Sequence, residues 1–137
     1  MNFQLVETYI YWWPVTVRIP NPEPGKAGTL IEQTFQMQFE PQSRDQIIAT
    51  QKELAALTDI DEIAAREHEI LRDACKDWSG VVTDGKPVPF NAETFRAAMQ
   101  KTWFRIGVYE AFNDSQSGEE ARLGNSGQPD VPGRLDG

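Results

Sequence analysis

The sequence predicts an α+β domain: an N-terminal antiparallel β-hairpin packed on three to four α-helices, with a disordered C-terminal tail. Three observations lead there. Apolar residues alternate with polar ones over residues 3–19 and again over 31–39. From Ser43 onward they recur at helical spacing, and beyond Asp114 they nearly vanish. A chain of 137 residues then divides into one domain over 1–113 and a flexible tail over 114–137.

In the first strand segment Phe3, Leu5, Tyr9, Tyr11, Trp13, Val15, Val17 and Ile19 share one parity, with Gln4, Thr8, Thr16 and Arg18 on the other. Ile31, Phe35, Met37 and Phe39 alternate with Glu32, Thr34, Gln36, Gln38 and Glu40 in the second. A period of two means strands with one buried face. The intervening PNPEPGKAG, rich in Pro and Gly, reads as a long, mobile hairpin loop. Pro14 requires that the first strand be an edge, be bulged or be split in two.

The period then changes. Ser43 with Gln46 three residues on has capping-box spacing, and Ile47, Ile48, Gln51, Leu54, Ala55 and Leu57 follow helical spacing. Asp59 and Glu62 repeat the cap. Ile60, Ile63, Ala64, Ile70, Leu71, Ala74, Cys75 and Trp78 form one apolar stripe, so the second helix is expected to end near Trp78. Its other face, with Asp61, Arg66, Glu69, Arg72, Asp73 and Lys76, reads as solvated. A third helical region opens at Asn91, an N-cap residue with Glu93 in the first turn. Phe95, Ala98 and Met99 mark its apolar face. The spacing slips near Lys101-Thr102, predicting a kink or break, and resumes with Trp103, Ile106, Tyr109 or Glu110, and Phe112. The final stretch is too poor in apolar residues to offset the entropy of ordering.

Composition narrows the function. With 21 acidic against 13 basic residues the formal charge is −8, which disfavours nucleic acid as a general partner. No apolar run nears the roughly 20 residues needed to span a bilayer, so no membrane partner is expected. The opening MNFQLVETYI lacks a basic region followed by an apolar core, which argues against a signal peptide. A single Cys cannot form an internal disulfide.

Candidate chemistry is sparse. His68 and Cys75, seven residues apart on the second predicted helix, share a face. A Cys–His nucleophile, however, ordinarily draws on separate elements and an orienting group, and Cys75 lies within the apolar stripe. One His and one Cys cannot close a zinc site, and the acidic run Asp59–Asp77 lacks the central Gly and terminal Glu of a calcium loop. No nucleotide-binding or nucleophile-elbow motif occurs, so neither catalytic residue, metal nor cofactor is expected. The aromatics say more. YIYWW over Tyr9–Trp13 and the adjacent Trp103-Phe104 exceed what one strand face or one helix stripe can bury. Either the protein's own loops cover the surplus or a partner buries it, and in the second case Tyr11, Trp12, Trp103 and Phe104 are the candidate partner-binding residues.

The segment WSGVVTDGKPVPF, Trp78–Phe90, lies between helices. Asp84-Gly85 is a two-residue turn signal flanked by Val81-Val82 and Val88. Pro87 and Pro89 keep its arms short, Gly80 suits a left-handed exit from the preceding helix, and Phe90 before Asn91 suits a hydrophobic staple. Each residue has a structural task. The same passage, Trp78-x-Gly80-Val81-x-x-Asp84-Gly85-x-Pro87-x-Pro89-Phe90-Asn91-x-Glu93, resembles the W-x-G-(V/I)…G-x-P-x-P-(F/Y)-(S/T/N)-x-E-(N/T) passage of the tail assembly chaperones of long-tailed phages and prophages. These are minor tail protein G-like proteins encoded before the tape measure protein. YWWPVTVRIPNPEPGK followed by QTFQMQFEP is similar to one branch of that group, so the likeness spans roughly residues 9–125.

The resemblance implies a non-enzymatic protein of the bacterial host cytoplasm, absent from the mature virion. Its implied partner is the tape measure protein, which it holds soluble while tail tube subunits polymerise, with the major tail subunit as a second partner and self-association compatible with the role. It also implies a longer form made by a −1 frameshift. Leu123-Gly124-Asn125 can be encoded as CTG GGA AAC, which contains the slippery run G GGA AAC, and the tail suits such a junction. Three other readings compete: a structural tail or connector protein of the virion, an acidic protein-binding inhibitor, and a small hydrolase built on His68 and Cys75.

Overall fold

The structure, a computed structural model, describes residues 1–117. Strand β1 (Tyr11–Pro20) and strand β2 (Leu30–Phe39) pair antiparallel in unbroken register, Tyr11 opposite Phe39 and Pro20 opposite Leu30. The register runs straight through Pro14, opposite Gln36. β1 is an edge strand, where a missing N–H is tolerated, and that resolves the three readings of Pro14. A 3-10 turn at Pro24–Lys26 reverses the chain. Its loop is closed by its own hydrogen bonds, Asn21 N–H to the Thr29 carbonyl at 2.9 Å and Thr29 Oγ1 to the Lys26 carbonyl at 2.7 Å.

β1 begins at Tyr11, later than the alternation from residue 3 suggests, because β2 ends at Phe39 and supplies no ladder beyond it. Phe3, Leu5 and Tyr9 keep the strand parity yet stand in solvent.

Helix α1 (Arg44–Ala56) starts at the expected capping box: Ser43 Oγ accepts from Gln46 N–H at 3.1 Å, and Gln46 Oε1 accepts from Ser43 N–H at 2.8 Å. Helix α2 (Ile60–Ala74) starts at Asp59, whose carboxylate accepts from Glu62 N–H. α2 does not reach Trp78. It ends at Ala74, and Cys75–Ser79 is strand β3, which pairs antiparallel with β2 and completes a sheet of order β1-β2-β3. The apolar stripe misleads here because Leu71, Ala74, Cys75 and Trp78 all enter the core, the first two from a helix and the last two from a strand. A register shift between Gln38 and Phe39 accommodates the transition, and Glu40 N–H bonds the Ala74 carbonyl at 2.8 Å.

Strands β4 (Val82–Thr83) and β5 (Lys86–Pro87) form the expected small hairpin. Asp84 (φ 51°) and Gly85 (φ 75°) both adopt left-handed conformations, as a two-residue turn of this hand requires. Helix α3 (Ala92–Met99) is capped by Asn91 in a reciprocal box with Thr94, and Phe90 packs on Phe95 with ring centroids 5.6 Å apart, the staple contact. Helix α4 (Thr102–Ser117) follows a break at the expected place. It continues past residue 113, so the first residues assigned to the tail are helical. Ser115 Oγ lies 2.6 Å from Tyr11 Oη, and Gln116 Oε1 accepts from Gln42 N–H at 2.8 Å. The remaining tail and the junction Leu123-Gly124-Asn125 lie outside the described residues.

One sheet face carries Val15, Val17, Phe35, Met37, Phe39, Cys75 and Trp78 against Phe95, Met99, Val108, Ala111 and Phe112. The other face shows Arg18, Glu32, Thr34 and Gln36 to solvent. α4 runs antiparallel to β1 and closely beside it: a Cβ on Gly107 would lie 2.7 Å from the Thr16 carbonyl oxygen. That approach rotates the helix, so its buried stripe is Gly107, Val108, Ala111 and Phe112, and the expected face members Trp103 and Ile106 are exposed. α4 thereby shields the edge strand from stray pairing.

Candidate functional site

The β1–β2 hairpin is longer than the helices that cover it. At its far end the core parity continues through Ile19 and Gln33, and no helix lies over them. The uncovered strip becomes the floor of a groove of about 600 Å³, formed by Val17, Ile19, Gln33 and Phe35. Trp103 and Phe104 at the start of α4 make one wall, Gly80, Val81 and Val82 the other, and Ala98 and Lys101 close the end. Among the described residues Lys101 is the groove's one charged side chain, and it forms no ion pair.

The groove is backed by aromatic packing that makes its floor rigid. Phe104 stacks on Phe35 at 5.3 Å with the planes 5° apart, and the Trp78 ring meets Phe104 edge-on at 6.2 Å. Trp78 is itself fixed by its indole N–H, which donates to the Val88 carbonyl at 2.7 Å, and by an edge contact with Phe90 at 5.1 Å. Offset and edge-to-face pairs of this kind add about 0.5–1.5 kcal/mol each beyond area burial. Gly80 (φ 95°) turns the chain directly over Phe35, where a Cβ would sit 3.4 Å from the Phe35 Cβ.

The four residues singled out as partner contacts fall into two kinds. Trp12 and Trp103 are 44% and 41% exposed. Tyr11 and Phe104 are half-buried against the core. The Tyr11 hydroxyl titrates above its ordinary range, chiefly because burial disfavours the phenolate. The structure does not unite the two tryptophans. Trp12 lies at the β1 end reached by Ser115, and Trp103 at the other end of α4, beside Thr16 and Arg18. Twelve residues of helix correspond to about 18 Å. The segment before Trp12 carries further exposed apolar residues, Met1, Phe3, Leu5, Tyr9 and Ile10.

The motif residues have the structural tasks expected of them except Gly80, which has the expected left-handed conformation but turns the chain after strand β3 and not out of a helix. Pro87 ends β5 opposite Val82, the Pro89 carbonyl accepts from Thr94 Oγ1 at 2.6 Å, and Glu93 is exposed in the first turn of α3. Sequence reasoning treated Val81-Val82 only as turn flanks and missed their place in the groove wall; two consecutive valines beside a tight turn were the available signal.

His68 and Cys75 do not form a reactive pair of the kind a nucleophile needs. They lie on α2 and β3, not on one helix face as the sequence suggests; the His68 ring packs against Phe95 at 5.5 Å, and the charges that act on Cys75 are those of Arg72 and Lys76. Burial in the apolar core pushes the Cys75 thiol up to about 12, so it stays protonated at neutral pH. Among the described residues no three His, Cys, Asp or Glu side chains come together as metal ligands, and no helix is long and apolar enough to cross a membrane. What the groove offers chemically is a rigid apolar trough with one positive charge at its end, suited to holding an apolar side chain that carries an acidic neighbour. Among known proteins, no family model, curated sequence or solved structure matches the chain.

Proposed function

We propose that this chain is a tail assembly chaperone of a long-tailed phage or prophage. It binds apolar segments of the tape measure protein in the host cytoplasm and keeps that protein soluble until tail tube subunits enclose it, leaving before the virion is complete. The observation that carries the reading is the passage Trp78–Glu93, whose resemblance to that family extends over consecutive turn, cap and packing residues. The trough beside Trp103 supports it, since a holder of aggregation-prone segments needs an exposed apolar surface on an otherwise acidic, soluble body. A longer frameshifted form, with its junction at Leu123-Gly124-Asn125, belongs to the same proposal, as does contact with the major tail subunit.

The test is co-expression with the tape measure protein of the same gene cluster, followed by separation of soluble from pelleted material. The chaperone reading expects the tape measure protein in the soluble fraction, bound to this chain, and loss of that effect in Trp103→Ala. A tape measure protein that pellets equally with and without this chain overturns it. Finding the chain in purified virions would favour a structural tail protein. Weighing the products of the native gene, expressed with its downstream DNA, tests the longer form separately.

A further inference from the structure

A second cleft, of about 460 Å³, lies between α2 and the α3–α4 pair. Its lining is unlike that of the apolar groove. His68 comes from α2, Arg96 from α3, Gln100 from the α3–α4 junction, and Arg105 and Tyr109 from α4. Each can donate a hydrogen bond. Arg105 is fixed in place, Nη1 donating to the Met99 carbonyl at 2.8 Å and Nη2 to Thr102 Oγ1 at 3.4 Å. Burial pushes the Tyr109 hydroxyl up to about 12, so it keeps its proton at neutral pH.

In a chain with an excess of eight acidic residues, a basic side chain finds carboxylates readily. Arg18, Lys26, Arg66 and Lys76 each do so. Yet among the described residues neither Arg96 nor Arg105, nor Arg72 beside them, pairs with one. Two carboxylates do line the cleft. Asp61 is seven residues before His68, about 10 Å along the helix axis, and Glu67 acts on Tyr109. We propose that the cleft is an oxyanion subsite that takes one carboxylate or phosphate group between Arg96, Arg105 and His68. Glu67 and Asp61 limit it to a single group, because a polyanionic chain would meet their like charge.

His68 reports on that field. Burial and the positive charges of Arg96 and Arg72 hold the imidazole below its ordinary range, against an opposing pull from Glu69. An anion seated beside Arg96 offsets those charges and raises the His68 titration midpoint.

His68 is the chain's one histidine, so its imidazole carbon-bound protons give single, assignable NMR resonances. The experiment titrates the full chain with sodium phosphate and, separately, sodium acetate, holding ionic strength constant with sodium chloride. The proposal expects a saturating shift of the His68 resonance, with a dissociation constant of about 1–10 mM, and a raised midpoint at saturation. Arg96→Gln should weaken binding about tenfold, Arg105→Gln likewise, and Arg44→Gln at the start of α1 should leave it unchanged. A response to acetate identifies a carboxylate site; a response to phosphate alone identifies a phosphate site. A linear, non-saturating shift overturns the proposal, and so does a saturating one that survives in Arg96→Gln. Should Arg105→Gln lose its fold with the Met99 contact, the exposed Arg96 decides alone.

Discussion

At the scale of single residues, two tryptophans separate stability from binding. Trp78 is buried, packs edge-on against Phe90 and Phe104 and is held by the indole bond to Val88, whereas Trp103 is 41% exposed on the groove wall. Trp78→Ala should cost about 3–5 kcal/mol in urea denaturation, as large aromatic deletions in cores do. Trp103→Ala should cost under about 1 kcal/mol and instead weaken retention of the proposed apolar client. Equal losses of stability would place Trp103 in the core and remove it from the groove. Gly107 makes a sharper case. Alanine normally favours a helix by about 1 kcal/mol over glycine. Here its Cβ would press on the Thr16 carbonyl and Val17, so Gly107→Ala should destabilise by about 1–3 kcal/mol. A stabilised variant would mean that α4 does not sit this close to β1. Acid–base behaviour belongs at this scale too. Cys75 and Tyr109 are both raised to about 12, from 9.0 and 10.0, so the fold prefers their neutral forms. The unfolded chain ionises first, and stability is complete below about pH 9 and falls as pH climbs toward about 12. A urea midpoint that stays level between about pH 8 and 11 would contradict the burial of that thiol; Cys75→Ala should remove the part of the loss that begins near pH 9.

At the scale of elements, α1 is the exception in the fold. It has thirteen residues, a full capping box and apolar residues at helical spacing, yet it buries none of them. Its direct side-chain tie to α2 is the Arg66–Glu53 pair at 3.1 Å, across a cleft lined by Gln46, Thr50, Asp73 and Lys76. A helix held by local caps and one partly exposed ion pair opens at low cost. Hydrogen exchange should show α1 amides opening at least about 2 kcal/mol more easily than those of α4. Arg66→Gln should speed α1 exchange about two- to fivefold and leave α4 unchanged. Matching protection in both helices would mean that α1 is packed into the cooperative unit. The same element shows what was legible in the sequence. Ser43, Asp59 and Asn91 disclosed three helix starts, and Asp84-Gly85 disclosed a hairpin turn, because caps and left-handed turns are decided within a few residues. Whether an apolar stripe finds a partner is decided by distant segments, so the helical spacing in α1 does not disclose that it buries nothing. β3 was hidden for a related reason: Cys75 and Trp78 are buried with two exposed residues between them, a spacing that a helix also satisfies. The candidate site was half legible. Its aromatics were visible as a surplus, but the trough combines the end of β1, the first half of β2, the turn before β4 and the α3–α4 break, which adjacency in sequence does not reveal.

At the scale of the whole molecule, α4 separates two apolar surfaces. One is the trough beside Trp103; the other is Trp12 with the exposed Phe3, Leu5, Tyr9 and Ile10. The body between them is acidic and its outer sheet face is polar, so neither surface is an incidental end of a single larger patch. Two sites at opposite ends of a helix can each hold a separate apolar segment of one long client, and simultaneous engagement then raises the apparent affinity without further contacts. Independent sites about 18 Å apart have additive free energies to within about 0.5 kcal/mol when client segments are measured one at a time. With single-segment peptides from the tape measure protein, Trp12→Ala and Trp103→Ala should each abolish binding of different peptides, and the double variant should show no coupling. With the intact client, either single variant should lower affinity without abolishing binding, because the second contact still holds the client while the gain from simultaneous engagement is lost. If both variants weaken the same peptide and couple by more than about 1 kcal/mol, the two surfaces grip one segment that wraps α4, and the client is held at one place instead of two.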